Sequence, residues 1–350
     1  MSTMRVVRLF GPKDLRVVDM PVPEPGPHEV LCKVSRVGVC GTDHAIYTGE
    51  FTFVRSGDVH FPMTLGHEWS GTVAALGRDA RQFRLGDRVT GDTAVACGYC
   101  TECLLGNYDR CKDARAVGTI NAWDGAYAEY ILMPERHVFR LPDSVSFDNG
   151  AMVEPAATAM YAVNRASVQP GDVVLVQGSG PIGIMAARLA KLCGAASVLL
   201  SGRKDAKLKA ALAFGADAAI NTTRESVTDA VRRLVPGGKV DRVIEASGSR
   251  GLFTESLGLI RQNGVMSVLA FYDNPLEELD LDRFVCSGAS IVAIAGSLGM
   301  YPPVLKLMAA GMLDCTPLIT SRAPLLEAPG VLARFDEHAE GRIKIMLQDA

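Results

Sequence analysis

Aromatic side chains are scarce in this chain, 6% of 350 residues with only two tryptophans, and positive charge has no surplus. Lys and Arg together number 36 against 39 Asp and Glu, a net charge of −3 with no basic block. Nucleic acid needs a concentrated cationic face, so that class of partner is excluded. Long apolar runs are missing too. The longest, Val173 to Leu200, is broken by Gly178, Gly180, Pro181, Arg188 and Lys191, and cannot cross a bilayer as one helix. The opening Met1-Ser2-Thr3-Met4-Arg5 has no secretory-leader pattern, so a reducing, cytoplasmic setting is expected. The remainder, 48% apolar and 21% charged, suits a globular enzyme large enough for two domains.

Cysteine, by contrast, is concentrated. Four of the nine fall within fifteen residues, Cys97, Cys100, Cys103 and Cys111, spaced C-x2-C-x2-C-x7-C. Four thiolates on one short lobe can close a tetrahedral shell around Zn²⁺. A disulfide pair is the competing reading, but an odd cysteine count in a reducing compartment favours metal.

Up to about residue 150 the chain reads as short strands separated by glycine and proline, a β-barrel-like body. Met4–Leu9, Leu15–Val18, Val30–Val37, Gly66–Leu76 and Arg84–Val89 are the expected strands. Ala151–Ala166 reads as a connecting helix that carries Glu154. From Asp172 the pattern becomes strand–helix–strand, with strands expected at 173–177, 197–201, 218–221, 240–246, 264–270 and 291–295. Such alternation builds a doubly wound parallel sheet of the Rossmann type, an α/β arrangement. The expected boundaries are 1–153 plus 296–350 for the first domain, with a cysteine lobe at 93–115, and 154–295 for the second.

Gly178-Ser179-Gly180-Pro181-Ile182-Gly183 is G-x-G-x-x-G, placed after a strand and before a helix, the context that makes the string informative. The glycines allow the tight turn, the close approach of a pyrophosphate and helix–strand packing, and the free N–H groups of the helix start hold phosphate. At the next strand tip an acidic residue usually binds the ribose hydroxyls of NAD. Here the run is Ser201-Gly202-Arg203-Lys204. Arg203 and Lys204 can grip a 2′-phosphate that a carboxylate would repel, so NADP is expected, with NAD as the alternative. A Gly202→Asp, Arg203→Leu pair should then shift preference toward NAD. Ala246 and Ser247 end one later strand, Leu269 and Phe271 another, and these tips are expected to border the nicotinamide.

Cys40, His67 and Glu68 come from two loops of the first domain, and Glu154 from the domain junction. A thiolate, an imidazole and a carboxylate suit a catalytic zinc that keeps one position open. Singly they have plainer readings: a small buried hydrophobe, a satisfied core histidine, a charge at a helix start. His28, His60, His137 and His338 lack a partner pattern and are expected at the surface.

Taken together, Gly38–Asp43 (GVCGTD), Gly66–Gly71 (GHEWSG), Gly86–Val89, the four-cysteine lobe, Gly125–Pro134 (GAYAEYILMP), Glu154-Pro155 and the glycine fingerprint resemble the zinc-dependent medium-chain alcohol dehydrogenase superfamily over nearly the full length. The sorbitol (polyol) and threonine dehydrogenase branch is the nearest match, through GHE, Glu-Pro and the tail around Ile343–Leu347. The resemblance implies a GroES-like catalytic domain, a Rossmann domain, two Zn²⁺ per subunit and a homotetramer, with a homodimer as the alternative. It implies that Cys40, His67 and Glu68 or Glu154 ligate the catalytic zinc, that the cysteine lobe holds the structural one, and that Thr42 begins a proton relay. Two positions depart from the family pattern. Ala45 stands where relatives often carry a relay histidine, with His44 one place earlier, and Gly296-Ser297 replaces an Arg-Tyr pair of the polyol branch.

The implied reaction passes hydride from a secondary alcohol of a polyol, sugar or cyclitol to NADP⁺, giving the ketone. Thr42, Tyr47, Trp69, Trp123 and Glu154 are the expected substrate residues. Three rival readings are an NAD-dependent amino-alcohol (threonine-type) dehydrogenase, a zinc-free quinone or enone reductase, and a non-catalytic dinucleotide-binding scaffold.

Overall fold

The computed structural model describes residues 2–272, 275, 279–337 and 340–349, so His338 lies outside the described residues. The chain divides into two compact units. The first comprises Met1–Glu154, Tyr301–Ala339 and Lys344–Ala350; the second comprises Pro155–Met300 and Glu340–Ile343. Glu154 therefore belongs to the first unit, and the later boundary falls at Met300/Tyr301 rather than 295/296.

The first unit is built mainly on antiparallel strands, with Ile319–Pro324 added in parallel to Lys344–Gln348. Glu29–Val39, its longest strand, pairs with Glu68–Leu76 on one side and with Lys344–Gln348 on the other. It also pairs with Tyr130–Pro134. One residue beyond this strand comes Cys40, where Gly41–Thr48 begins a helix. Asp43, in the first turn of that helix, accepts the Cys40 N–H at 2.9 Å and so ties the strand end to the helix start. Val30, Val37, Leu65, Trp69, Tyr127, Ile131 and Leu347 form the centre of the core.

The second unit is a six-stranded parallel sheet. Taken across the sheet, the strands are Ala218–Asn221, Ser197–Gly202, Val173–Gln177, Val240–Glu245, Ile260–Val268 and Ser290–Ala293. Strands run outward in both directions from Val173–Gln177, so the order reverses between it and Val240–Glu245. That is the switch point where doubly wound sheets bind ligands. Near-continuous Val, Leu and Ile mark these strands because helices cover both faces.

Three sequence expectations change. Arg84–Val89 is not one strand: Arg84–Asp87 closes a turn, with Gly86 at φ +84 and Asp87 accepting the Arg84 N–H, and pairing starts only at Arg88. The expected helix Ala151–Ala166 is two helices, Phe147–Ala151, capped by Ser146, and Val153–Arg165. The strand expected at 264–270 begins earlier, at Ile260. Among the described residues no helix is long and apolar enough to cross a membrane.

Candidate metal centres and dinucleotide site

The four-cysteine lobe folds around its own sulfurs. Cys97, Cys100, Cys103 and Cys111 place one sulfur each within 4.8 Å of all the others, and all nine cysteines are free. Backbone N–H groups point at the sulfurs: Cys97 N–H donates to Cys111 Sγ (3.3 Å) and Cys100 N–H to Cys97 Sγ (3.4 Å). The N–H groups of Tyr99 and Cys100 push the Cys97 thiol down to about 6, toward the thiolate a metal needs. Four convergent sulfurs with no disulfide fit a tetrahedral Zn²⁺.

His137 supports this lobe and is not at the surface. It is 3% exposed, and its Nε2 accepts the Ala96 N–H at 3.2 Å, one residue before Cys97. Burial, aided by the neighbouring Arg136 charge, pushes its pKa down to about 4. The unfolded chain takes up that proton near 6.5. The stabilisation is therefore complete above pH 6.5 and declines as pH falls toward 4, by roughly 3 kcal/mol in full. Melting temperature measured from pH 7.5 to 5 should fall less in His137→Gln, whose amide oxygen accepts the same N–H without titrating. An equal fall would remove His137 from the account. His28 and His60 are exposed, as expected.

A second cluster is carved into the core of the first unit. Cys40, His67 and Glu68 each bring a ligand atom within 4.8 Å of the others. His67 is 6% exposed and Glu68 1%. His67 Nδ1 lies 3.6 Å from Asp43 Oδ1 and has no hydrogen bond. Burial disfavours the imidazolium, but the charges of Asp43, Cys40 and Glu154 outweigh it and raise the His67 pKa well above its usual value. An imidazole that attracts positive charge so strongly, beside a sulfur and carboxylates, fits a divalent cation. Glu154 is 8% exposed and near enough to act on His67.

Glu68 is already engaged. Lys344 Nζ donates to both of its oxygens, at 2.6 and 2.7 Å, and to Val39 O at 3.2 Å. Lys344 is 3% exposed, and although burial opposes its charge, Glu68 and Cys40 raise its pKa. Sequence reasoning missed this lysine; its signal is a lone cation opening the apolar strand Lys344–Gln348. Tyr127 was missed as well. Its hydroxyl donates to Asp43 Oδ2 at 3.1 Å.

Of the expected substrate residues, Glu154 acts on this cluster, whereas the two tryptophans are placed by other contacts. Trp69 is wholly buried in the core and is corrected to a packing residue: Gly91 lies so close that an added Cβ would sit 2.6 Å from the indole. Trp123 bonds Leu132 O through Nε1 (2.6 Å), lies under Arg115, and lines a different cavity with Met4 and Arg8. Tyr47 packs on the core, and Thr42 is half-buried beside Cys40 in sequence. His44 stacks on Phe335 at 4.6 Å, with Nε2 3.6 Å from Asp336.

In the second unit a cavity of about 820 Å³ opens at the switch point, lined by Gly178, Ser179, Gly180, Ser201, Arg203, Lys204, Ala246 and Ser247 among others. Gly178 has φ +110, and a Cβ there would meet Ala246 O at 2.8 Å. Gly183 packs directly on Gly178 O. A Cβ on Gly180 would meet nothing within 4 Å, so this glycine borders open space over the start of the helix Pro181–Leu192. That cradle fits a pyrophosphate. Ile182 and Pro181 form the helix start without lining the cavity; Leu269 N–H bonds Glu245 O, and Phe271 is 55% exposed.

Positive charge gathers at one end of the cavity. Lys207, which sequence reasoning missed, lines it with Arg203 and Lys204. Its pKa is lowered by burial and by the nearby Lys204, Arg342 and Arg203. Asp205, the next carboxylate along the chain, is turned to Asn221 (2.7 Å) and Arg224, which hold its pKa low, while Glu255 also lines the cavity. Position 202 is closed to a side chain, since a Cβ there would stand 2.6 Å from Ser179 Cβ.

Comparison with known proteins agrees with these features. Residues 26–143 match the alcohol dehydrogenase GroES-like domain, and residues 181–310 match the zinc-binding dehydrogenase domain. The sorbitol dehydrogenase of Bacillus subtilis is 30% identical over 348 residues, 99% of this chain and 97% of that protein. An L-threonine 3-dehydrogenase of Symbiobacterium thermophilum is 32% identical, covering 99% and 98%. A Sinorhizobium meliloti structure described as a zinc-binding dehydrogenase bound to NADP superposes with TM-score 0.91 at 31% identity, covering 99% of this chain and all of that one. With two domain matches and full-length relatives at this identity, the chain belongs to the zinc-dependent medium-chain alcohol dehydrogenase family of oxidoreductases.

Proposed function

We propose that the chain oxidises a secondary alcohol of a polyol, sugar or cyclitol to the ketone, with NADP⁺ as hydride acceptor. The observation that carries the reading is the convergence of Cys40, His67 and Glu68, each with a ligand atom within 4.8 Å of the others, with Asp43 behind the imidazole. Cys40, His67 and Glu154 would hold the catalytic ion. Glu68 is the poorer candidate for direct ligation because both its oxygens are held by Lys344. Zn²⁺, when bound, supplies a Lewis acid that makes a hydroxyl proton far easier to remove.

The chain's own groups then have distinct tasks. Asp43 orients the His67 ring. Thr42 Oγ1, two residues beyond Cys40, would receive the substrate's hydroxyl proton, while the carbinol hydrogen departs as hydride to the nicotinamide. His44, held by Phe335 and facing Asp336, would pass that proton toward water. Arg203, Lys204 and Lys207 would hold the 2′-phosphate; the NADP named in the Sinorhizobium structure supports this.

The threonine dehydrogenase relatives favour a second reading, in which a 3-hydroxy amino acid is the substrate. One screen tests both: polyols, aldoses, cyclitols and 3-hydroxy amino acids with NADP⁺ and NAD⁺. Turnover of a polyol or cyclitol at least about tenfold faster in kcat/KM with NADP⁺ is expected; turnover of hydroxy amino acids alone would move the substrate to the second reading. Because Ser179 blocks position 202, Gly202→Asp/Arg203→Leu should bind both cofactors poorly, and adding Ser179→Gly should bring out NAD⁺ activity. A strong NAD⁺ preference in the unaltered chain would overturn the cofactor assignment.

A further inference from the structure

We propose that Tyr127 is a positioning residue for the metal-binding imidazole, acting through Asp43; this rests on the reading of Cys40 and His67 as metal ligands. Tyr127 is wholly buried, and its backbone is pinned on both sides. Its N–H donates to Leu65 O (2.9 Å), its carbonyl accepts the Val7 N–H (2.8 Å), and the preceding Ala126 N–H donates to Gly66 O (2.8 Å). The ring is thereby pressed against Gly66, whose φ of +93 and missing Cβ make room; a Cβ there would stand 2.8 Å from Tyr127 Cε1. A phenylalanine would fill that space equally well. The hydroxyl group, a polar atom in a dry core, therefore needs its own explanation, and its partner supplies one.

That partner is Asp43 Oδ2, which takes the phenol at 3.1 Å and the Cys40 N–H at 2.9 Å. The other oxygen, Oδ1, takes the Gly66 N–H at 3.3 Å and faces His67 Nδ1 at 3.6 Å. Each donor comes from a different stretch of chain: the helix start, the loop before His67, and the turn before Tyr130–Pro134. Between them they fix the carboxylate's rotation about its Cβ–Cγ bond, and that rotation decides whether Oδ1 points at the imidazole. Removing the phenol leaves each oxygen with a single backbone donor and loosens the rotation. Partners of metal-bound histidines typically change metal affinity by about 10- to 100-fold.

The test is metal release from the full chain loaded with Co²⁺, followed after addition of a chelator, in the unaltered protein and in Tyr127→Phe. The four-cysteine lobe serves as the internal control. We expect one metal to leave about tenfold faster in Tyr127→Phe, with a shifted visible absorption band for that metal, while the lobe metal leaves at an unchanged rate. Asp43→Asn should accelerate the same metal, and the double variant should add little, because both changes break one chain of contacts. Unchanged release and spectrum in Tyr127→Phe, or fully additive effects, would overturn the proposal. An unaltered protein that binds only one metal, indifferent to Cys40→Ala, would instead overturn the metal reading beneath it.

Discussion

Cys40→Ala and His67→Ala should each lower kcat/KM by about 10³-fold or more while leaving cofactor affinity within about twofold. Charge stabilisation by a catalytic metal amounts to several kcal/mol, and each 1.36 kcal/mol is a factor of ten in rate. Neither residue belongs to the unit that carries the glycine fingerprint, so quenching of protein fluorescence by NADP⁺ should titrate as before. Replacing two ligands of one ion should cost scarcely more than replacing one, since the first loss already dismantles the centre. Variants that retained activity after chelation would rule out metal-assisted oxidation at this site.

The second large effect concerns Lys344. Its ammonium and the Glu68 carboxylate are 3% and 1% exposed and lie 2.6 Å apart. Lys344→Met should destabilise the chain by about 3–5 kcal/mol, because it strands a carboxylate in the core. The sign of the partner change separates this from lost packing. Glu68→Gln alone strands the ammonium, whereas Lys344→Met/Glu68→Gln removes both charges and should recover a large part of the loss. Urea midpoints of the four proteins measure it. A double variant no more stable than Lys344→Met would show that the methylene stem, not the charge pair, carries the effect.

Much of this molecule can be read from local sequence. The parallel sheet was legible because its central strands, Val173–Gln177 and Ser197–Gly202, are short Val and Leu runs followed by helical patterns, and Gly178–Gly183 announces its own turn. The cysteine lobe was legible because its four sulfurs come from residues close in sequence. The substrate residues were not. Trp69 and Trp123 stand in or near informative motifs, but an aromatic residue beside a motif is placed by packing: Trp69 is wholly buried in the core, and Trp123 lines another cavity. Lys344, Tyr127 and Lys207 escaped for a related reason. Each acts on partners distant in sequence or through the fold of a turn, and no spacing rule marks such a residue. The helices Arg250–Leu259 and Leu281–Ser287 were also missed, although Ser249 caps the first by accepting the Leu252 N–H.

The pairing of Lys344–Gln348 with Glu29–Val39 also bears on biosynthesis. Glu68 and Lys344 are 276 positions apart, so the ammonium emerges from the ribosome long after the acid it neutralises. At translation speeds of about 5–20 residues per second, Glu68 is made many seconds before the cation that answers it in the folded sheet.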